Sequence, residues 1–230
     1  ISFRGGGAKF RYYALLNLTT DKGFIDNANM NDGYSTQNKY SKANLRTNLD
    51  IDLTSTTKMT VNLLGTLAET SRPGDNADLW SMIYQLPPTA FPVRTENGLW
   101  GGSITWAGTL NPVAQSQATA YTKGHNRSLY ADMTLKQDLS SILPGLGGSF
   151  KLAYDNYAAY VENHSKTYRY GIDYVAWASG KPTAGTQNVF GTESPMGTDS
   201  DMSEWKRNFN SALGLDYQYA SDNHAVYTQL

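Results

Sequence analysis

The chain has 230 residues, of which 40% are hydrophobic and 17% charged, and its formal net charge at pH 7 is −1. This balance gives no electrostatic support for binding nucleic acid or an anionic surface, and the absence of cysteine excludes disulfides, thiol nucleophiles and cysteine metal sites. With 16 tyrosines, 5 tryptophans and 21 glycines, the composition suits strands and turns better than helices.

The first two predicted strands, residues 1–4 and 10–19, are joined by a glycine-rich turn. A polar loop follows at residues 20–39. Within it, residues 26–33 superficially resemble a calcium-binding loop, but the carboxylate spacing is wrong and the closing glutamate is missing. We therefore expect an ordinary hairpin loop with an Asn-Asp-Gly turn rather than a metal site.

The clearest alternation lies in residues 42–53, where five of the six odd-numbered residues are apolar and all six even-numbered residues are charged or amide. This period of two indicates a strand with one apolar and one polar face. The strand is longer than the usual 5–6 residues and long enough to cross a membrane at a tilt, which takes roughly 9–11. Taken alone, it fits both a soluble β-sandwich and a membrane barrel.

The remaining predicted elements alternate between strands and connections. A short helix is predicted within residues 75–86. The other strands are predicted at residues 58–70, 127–139, 149–160, 205–219 and 224–230, which makes about eight in all. The sequence contains no run of about 18 apolar residues, so it does not predict a transmembrane helix.

The connections between these strands are alternately short and long. The short ones are residues 55–57, 141–148 and 220–223, and the long ones are residues 20–39, 71–126 and 162–203. Outer-membrane barrels have short periplasmic turns and longer extracellular loops, whereas a soluble sandwich has no reason to place all its long loops at one end. The pattern therefore favours an all-β, antiparallel, up-and-down transmembrane β-barrel.

Several segments also carry a resemblance to a known family. The first are Gly5-Gly6-Gly7, residues 10–16, residues 22–25, and residues 40–53 with Arg46-Thr47-Asn48-Leu49. The most specific are Leu86-Pro87-Pro88, Phe91-Pro92-Val93, Asn97-Gly98-Leu99-Trp100 and Asn111-Pro112-Val113-Ala114. Together with the turn at Leu143-Pro144-Gly145-Leu146, they resemble the SusC/RagA family of TonB-dependent outer-membrane transporters of Bacteroidota. The resemblance covers most of residues 1–160 and is looser beyond them.

The resemblance implies a barrel of about 22 strands filled by an N-terminal plug domain. It also implies import driven through TonB–ExbB–ExbD and a SusD-like surface lipoprotein that covers the extracellular side. Since both ends of the sequence lie inside predicted strands, we expect residues 1–230 to be a piece of the barrel domain, without the plug, the TonB box and the other strands.

The expected function is therefore import of oligosaccharides or peptides across the bacterial outer membrane, without covalent chemistry. A passive porin or adhesin barrel is one alternative. A soluble carbohydrate-binding or glycan-degrading β-domain is the other.

Catalytic motifs give no support for an enzyme. The three histidines, His125, His164 and His224, stand beside turns or strand ends, and neither Gly-x-Ser-x-Gly nor His-Glu-x-x-His occurs. We expect no catalytic residue, cofactor or metal site.

Two groups of residues are candidates for contact with substrate or partners. Aromatic side chains in or beside residues 71–126 can stack on sugars or anchor peptides and proteins, or they can form the small core of the loop itself. These are Trp80, Tyr84, Trp100, Trp106 and Tyr121. The charged residues at even positions of the strand at 42–53 are expected to face the barrel lumen, where packing against the plug is favoured over substrate contact. These are Lys42, Arg46, Asp50 and Asp52.

Overall fold

The structure is a computed structural model that describes residues 1–26, 28–29, 33–74, 79–106, 111–174, 176–183, 185–220 and 225–230. In chain order its elements are β1 (Ser2–Gly6), β2 (Phe10–Lys22), β3 (Lys39–Asp52), β4 (Thr57–Pro73), α1 (Leu79–Gln85), β5 (Trp100–Gly101), α2 (Pro112–Gln117), β6 (Tyr121–Asp138), β7 (Leu146–Ser165), β8 (Tyr170–Asp173), β9 (Ala176–Ala178), β10 (Lys181–Thr183), β11 (Gln187–Phe190), β12 (Gly197–Ala220) and β13 (Ala225–Gln229). Among these described residues, no helix is both long enough and apolar enough to cross a membrane.

Eight strands form one main sheet in the order β1-β2-β3-β4-β6-β7-β12-β13. Every neighbouring pair is antiparallel, so the chain runs up and down along the sheet. The sheet does not close on itself, and β1 and β13 are its edges. The predicted all-β, antiparallel, up-and-down architecture is confirmed, with the open sheet corresponding to part of a barrel.

The observed strands extend beyond the predicted ones at the end where the long connections lie. β12 has 24 residues and begins at Gly197 rather than at residue 205. β6 begins at Tyr121 rather than at residue 127. These extensions are polar and lack an apolar alternation, so ladder hydrogen bonds to neighbouring strands define them rather than hydrophobic burial.

The helical content also differs from expectation. The helix predicted within residues 75–86 appears as α1, Leu79–Gln85, while residues 75–78 lie outside the described residues. α2 was not predicted, and it is only six residues long. The calcium-like segment at residues 26–33 and His224 fall partly or wholly outside the described residues.

The short turns lie together at one end of the sheet. The amide of Asp52 donates to the carbonyl of Lys9 over 2.7 Å, and the amide of Asp138 donates to Thr56 over 2.8 Å. These bonds join each hairpin turn to the next, and they leave residues 23–38, 74–120 and 166–196 at the opposite end. We call this the loop end.

The cross-strand register separates the side chains into two faces. One row of directly paired residues is Phe10, Ile51, Met59, Leu135, Phe150 and Leu213, and this side of the sheet is the apolar face. On the opposite side, the polar face, the amide of Asn48 donates to Asn62, and Asn62 donates to Asp132 over 2.7 Å. The two faces follow from strand alternation alone.

The boundary of the apolar face towards the loop end is stepped. Its first charged or amide residues are Glu69 on β4, Arg127 on β6 and Asn156 on β7. Arg127 pairs with Leu67 rather than Glu69, and Asn156 pairs with Leu129 rather than Arg127. From β4 to β6 and from β6 to β7, the boundary therefore moves one same-face residue further from the loop end. Such a step is expected where tilted strands cross a single plane.

Candidate functional site

The long connection between β4 and β6 is organised around one buried asparagine. The Asn111 side chain is 1% exposed, and its Nδ2 donates to the carbonyls of Val93 and Gly101 over 3.1 and 3.0 Å. Its Oδ1 accepts from the amides of Val113 and Ala114 at the start of α2. One side chain therefore caps α2 and holds it against the segment that carries Trp100.

Trp100 lies within the small core of this connection. It is 8% exposed, the Arg94 guanidinium lies 3.4 Å from its ring centroid, and the Tyr168 ring approaches edge-on at 6.2 Å. Partial burial lowers the pKa of Arg94 from its ordinary value, although an arginine stays charged at any physiological pH. The stacking uses the indole face that a sugar ring would need.

Trp80 and Tyr84 are instead exposed on α1, to 66% and 84%. Trp80 lines a cavity of about 430 Å³ together with Phe24 and Ile83. Pro112 and Val113 at the start of α2 also line it, and we call it the apolar groove. It combines aliphatic and aromatic surface from the β2–β3 connection with that of the two helices.

Tyr121 takes part in a different cluster, at the start of β6. Its ring lies 4.2 Å from that of His164 and 5.6 Å from that of Tyr34, centroid to centroid. The His164 imidazole contacts Glu162 at 2.9 Å through Nε2 and Thr198 at 3.0 Å through Nδ1. This cluster fastens the β2–β3 connection to the loop end of the sheet.

Beside that cluster is a second cavity, of about 420 Å³, lined by residues that include Tyr34, Lys39, Ser41, Glu69, Lys123 and His125. We call it the lysine cavity. Its strand residues Lys39, Ser41 and Lys123 belong to the apolar face by alternation. Ser41 directly follows the last apolar side chain of β3, whereas Lys123 lies six residues beyond Leu129 on β6. The only anion among the six, Glu69, lies 3.4 Å from Nδ1 of His125.

The four charged residues predicted to face a lumen share the polar face of β3. Asp50 accepts a 2.9 Å hydrogen bond from Thr60 and lies 4.0 Å from Arg11. Asp52 lies 3.7 Å from Lys58, and Arg46 donates to Asn48 over 3.2 Å. Lys42 stands on the same side by alternation. That this side faces a lumen and a plug remains a prediction.

The five predicted aromatic residues therefore do not form one cluster. Trp80 lines the apolar groove, Tyr121 lines the lysine cavity, and Trp100 is in the loop core. Trp106 is 44% exposed and lines neither cavity. Sequence reasoning missed Phe24, Lys39 and Lys123, because only the strand register and the folding of residues 23–38 bring them to these cavities.

Over the ranges that the structure describes, no group of three or more His, Asp or Glu side chains could hold a metal ion.

Comparisons with known proteins give a structural likeness but no sequence match. No protein-family model and no curated protein matches the sequence. Among solved structures, the chain is similar to the outer membrane transporter YddB from Escherichia coli, at 12% identity and a TM-score of 0.45. The alignment covers 99% of this chain and 26% of that one, so this chain spans about a quarter of the transporter's length.

The Asn111→Ala substitution should loosen the connection between β4 and β6. It removes the cap of α2 and the side-chain donor to the carbonyls of Val93 and Gly101. The Val93 carbonyl keeps the Gly101 amide as a donor, so we expect a loss of about 2–3 kcal/mol in local stability. We expect faster protease cleavage within residues 74–120, measured by mass spectrometry of timed digests. The control is Asn97→Ala, because Asn97 makes a single exposed side-chain hydrogen bond to Gln187. Equal cleavage rates in both variants would contradict this role for Asn111.

Proposed function

We propose that the chain is part of the barrel of a TonB-dependent outer-membrane importer of the SusC/RagA type, which moves oligosaccharides or peptides into the periplasm. The observation that carries the proposal is the two-faced, up-and-down sheet with its short turns at one end and its long, folded connections at the other. That arrangement is typical of outer-membrane barrels.

The exposure of the apolar face supports lipid as its environment. Leu67, Phe209 and Leu213 are 57%, 65% and 83% exposed. A soluble β-sandwich covers such a face with a second sheet, and the described residues contain no second layer against it. The stepped boundary adds a second argument, because it matches the level of a membrane surface on tilted strands.

In lipid, the free edges of β1 and β13 need partners, since unpaired backbone groups cost several kcal/mol each. The proposed importer therefore completes its barrel with strands outside these 230 residues and fills it with a plug domain. The paired charges of the polar face would line the lumen and pack against that plug.

The substrate class and partners are inferred from the family resemblance and the chemistry of the loop end. The exposed aromatic rings of Phe24, Trp80 and Tyr84 suit stacking on sugars, anchoring of peptides or docking of a SusD-like lipoprotein. Energy would reach the complete protein through TonB–ExbB–ExbD.

The proposal is tested by uptake in cells that express the full-length protein, with and without TonB. Labelled oligosaccharides and peptides above the size limit of porins serve as the panel. We expect uptake of one class to require both the protein and TonB. Uptake that persists without TonB would instead indicate a passive porin. A full-length protein that is monomeric without detergent would indicate a soluble β-domain.

Two neighbouring positions on β3 test which side meets lipid. Leu49→Arg places a charge near the middle of the apolar face and should cost roughly 2–4 kcal/mol of barrel stability. Asn48→Arg on the polar face loses the hydrogen bond with Asn62, worth about 1 kcal/mol, and the exposed one from Arg46, worth about 1 kcal/mol or less. Heat-modified migration of the full-length barrel on gels should therefore show failed assembly only for Leu49→Arg. Equal tolerance of the two substitutions would mean that the faces or their solvents are misassigned.

A further inference from the structure

Three lysines stand in one row across the apolar face at the loop end. Lys22 of β2 pairs directly with Lys39 of β3. Ser71 of β4 follows Lys39 in the same row, and Lys123 of β6 follows Ser71. Like charges directly opposite each other destabilise an antiparallel pair, so the Lys22–Lys39 pair needs a counter-charge.

The chain does not supply that counter-charge among the residues described. None of the three ammonium groups forms an ion pair there. The carboxylates nearest in register contact histidines instead. Glu69 lies 3.4 Å from His125, and Glu162, although it pairs with Lys123 in the ladder, lies 2.9 Å from His164. Among the described residues that line the lysine cavity, Lys39 and Lys123 outnumber the one carboxylate, Glu69.

The lysine cavity lies between two of these cations. Its volume of about 420 Å³ falls within the roughly 300–1,000 Å³ of ligand sites. Lys39 and Lys123 line it together with the hydroxyl groups of Ser35, Ser41 and Ser71. Ammonium groups and hydroxyls are the donors that proteins use for phosphate oxygens.

The position of the cavity indicates where its anion comes from. On β3, Ser41 lines the cavity and Ala43, the next residue on the same side, begins the apolar face. Arg127 on β6 and Arg207 on β12 stand next to the apolar boundary, whereas Glu69 occupies that place on β4. The cavity therefore opens on the side of the sheet that would meet lipid, next to the apolar boundary on β3 and β4, and not on the polar face where a transported solute would pass.

We propose that the lysine cavity and the lysine row bind the phosphate group of an anionic lipid headgroup in the extracellular leaflet of the outer membrane. This rests on the proposed function only in placing the apolar face in lipid. The phosphate supplies the missing counter-charge, while the acyl chains lie along the apolar side chains below. Other membrane proteins recognise anionic lipids with clusters of basic residues next to the membrane surface.

The test uses the full-length protein in detergent micelles, titrated with phosphorylated lipid A or with the same lipid dephosphorylated, and native mass spectrometry to count bound lipid. We expect the wild-type protein to prefer the phosphorylated form. Lys39→Gln with Lys123→Gln should weaken binding of that form by about 25-fold, at about a factor of five for each lysine. The matched control is Lys136→Gln with Lys151→Gln, which removes two charges from the polar face and should change nothing.

Several outcomes would overturn the proposal. One is that the wild-type protein binds the two lipids equally well. This outcome does not depend on whether any variant folds. Another is an equal loss in the control pair. A third is loss in Lys39→Arg with Lys123→Arg, which keeps both charges. Competition by inorganic phosphate as strong as that by the lipid would show a soluble-anion site instead. TonB-dependent uptake, measured in the same variants, tests the proposed function separately.

Discussion

The register of the main sheet is the constraint on which the other features depend. A slip of one residue between two strands would move every side chain of a strand to the opposite face. From β2 to β7 the pairing runs without interruption. The irregularity in the β7–β12 ladder lies between Met202 and Glu204, on the loop side of the apolar boundary. The bulge can therefore bend the strand without mixing apolar and polar side chains.

The same register places charge where hydrophobic patterning ends. Lys22, Lys39 and Lys123 come from three separate strands and become neighbours only because their strands pair as they do. Beyond the boundary, the connections build their own supports, with Asn111 at α2 and the rings of Tyr121 and His164 at the sheet. The described part of the loop end is thus a folded surface. In the proposed importer it would carry both the substrate-facing apolar groove and the lipid-facing cations.

Much of the sheet could be predicted because alternation is a local signal. The alternation in residues 42–53 predicts a two-faced strand without information from any other segment. The observed β3 covers nearly the same residues, Lys39–Asp52. The polar start of β12 and the short strands β8 to β11 carry no such signal, since ladder hydrogen bonds alone define them. The cavities were beyond sequence reasoning because each joins segments separated by dozens of residues. For Trp100, the sequence offered two roles, and its burial under Arg94 matches the role in the loop core.

In the proposed importer, lipid covers one face of this sheet and an aqueous lumen the other. The chain contains no cysteine, so single cysteines at residues 43–52 of the full-length protein, in an otherwise cysteine-free background, can carry nitroxide labels in reconstituted membranes. We expect the labels at odd-numbered positions to collide preferentially with oxygen, which concentrates in lipid, and those at even-numbered positions to collide preferentially with a water-soluble nickel complex. Equal access of the nickel complex to both series would contradict it.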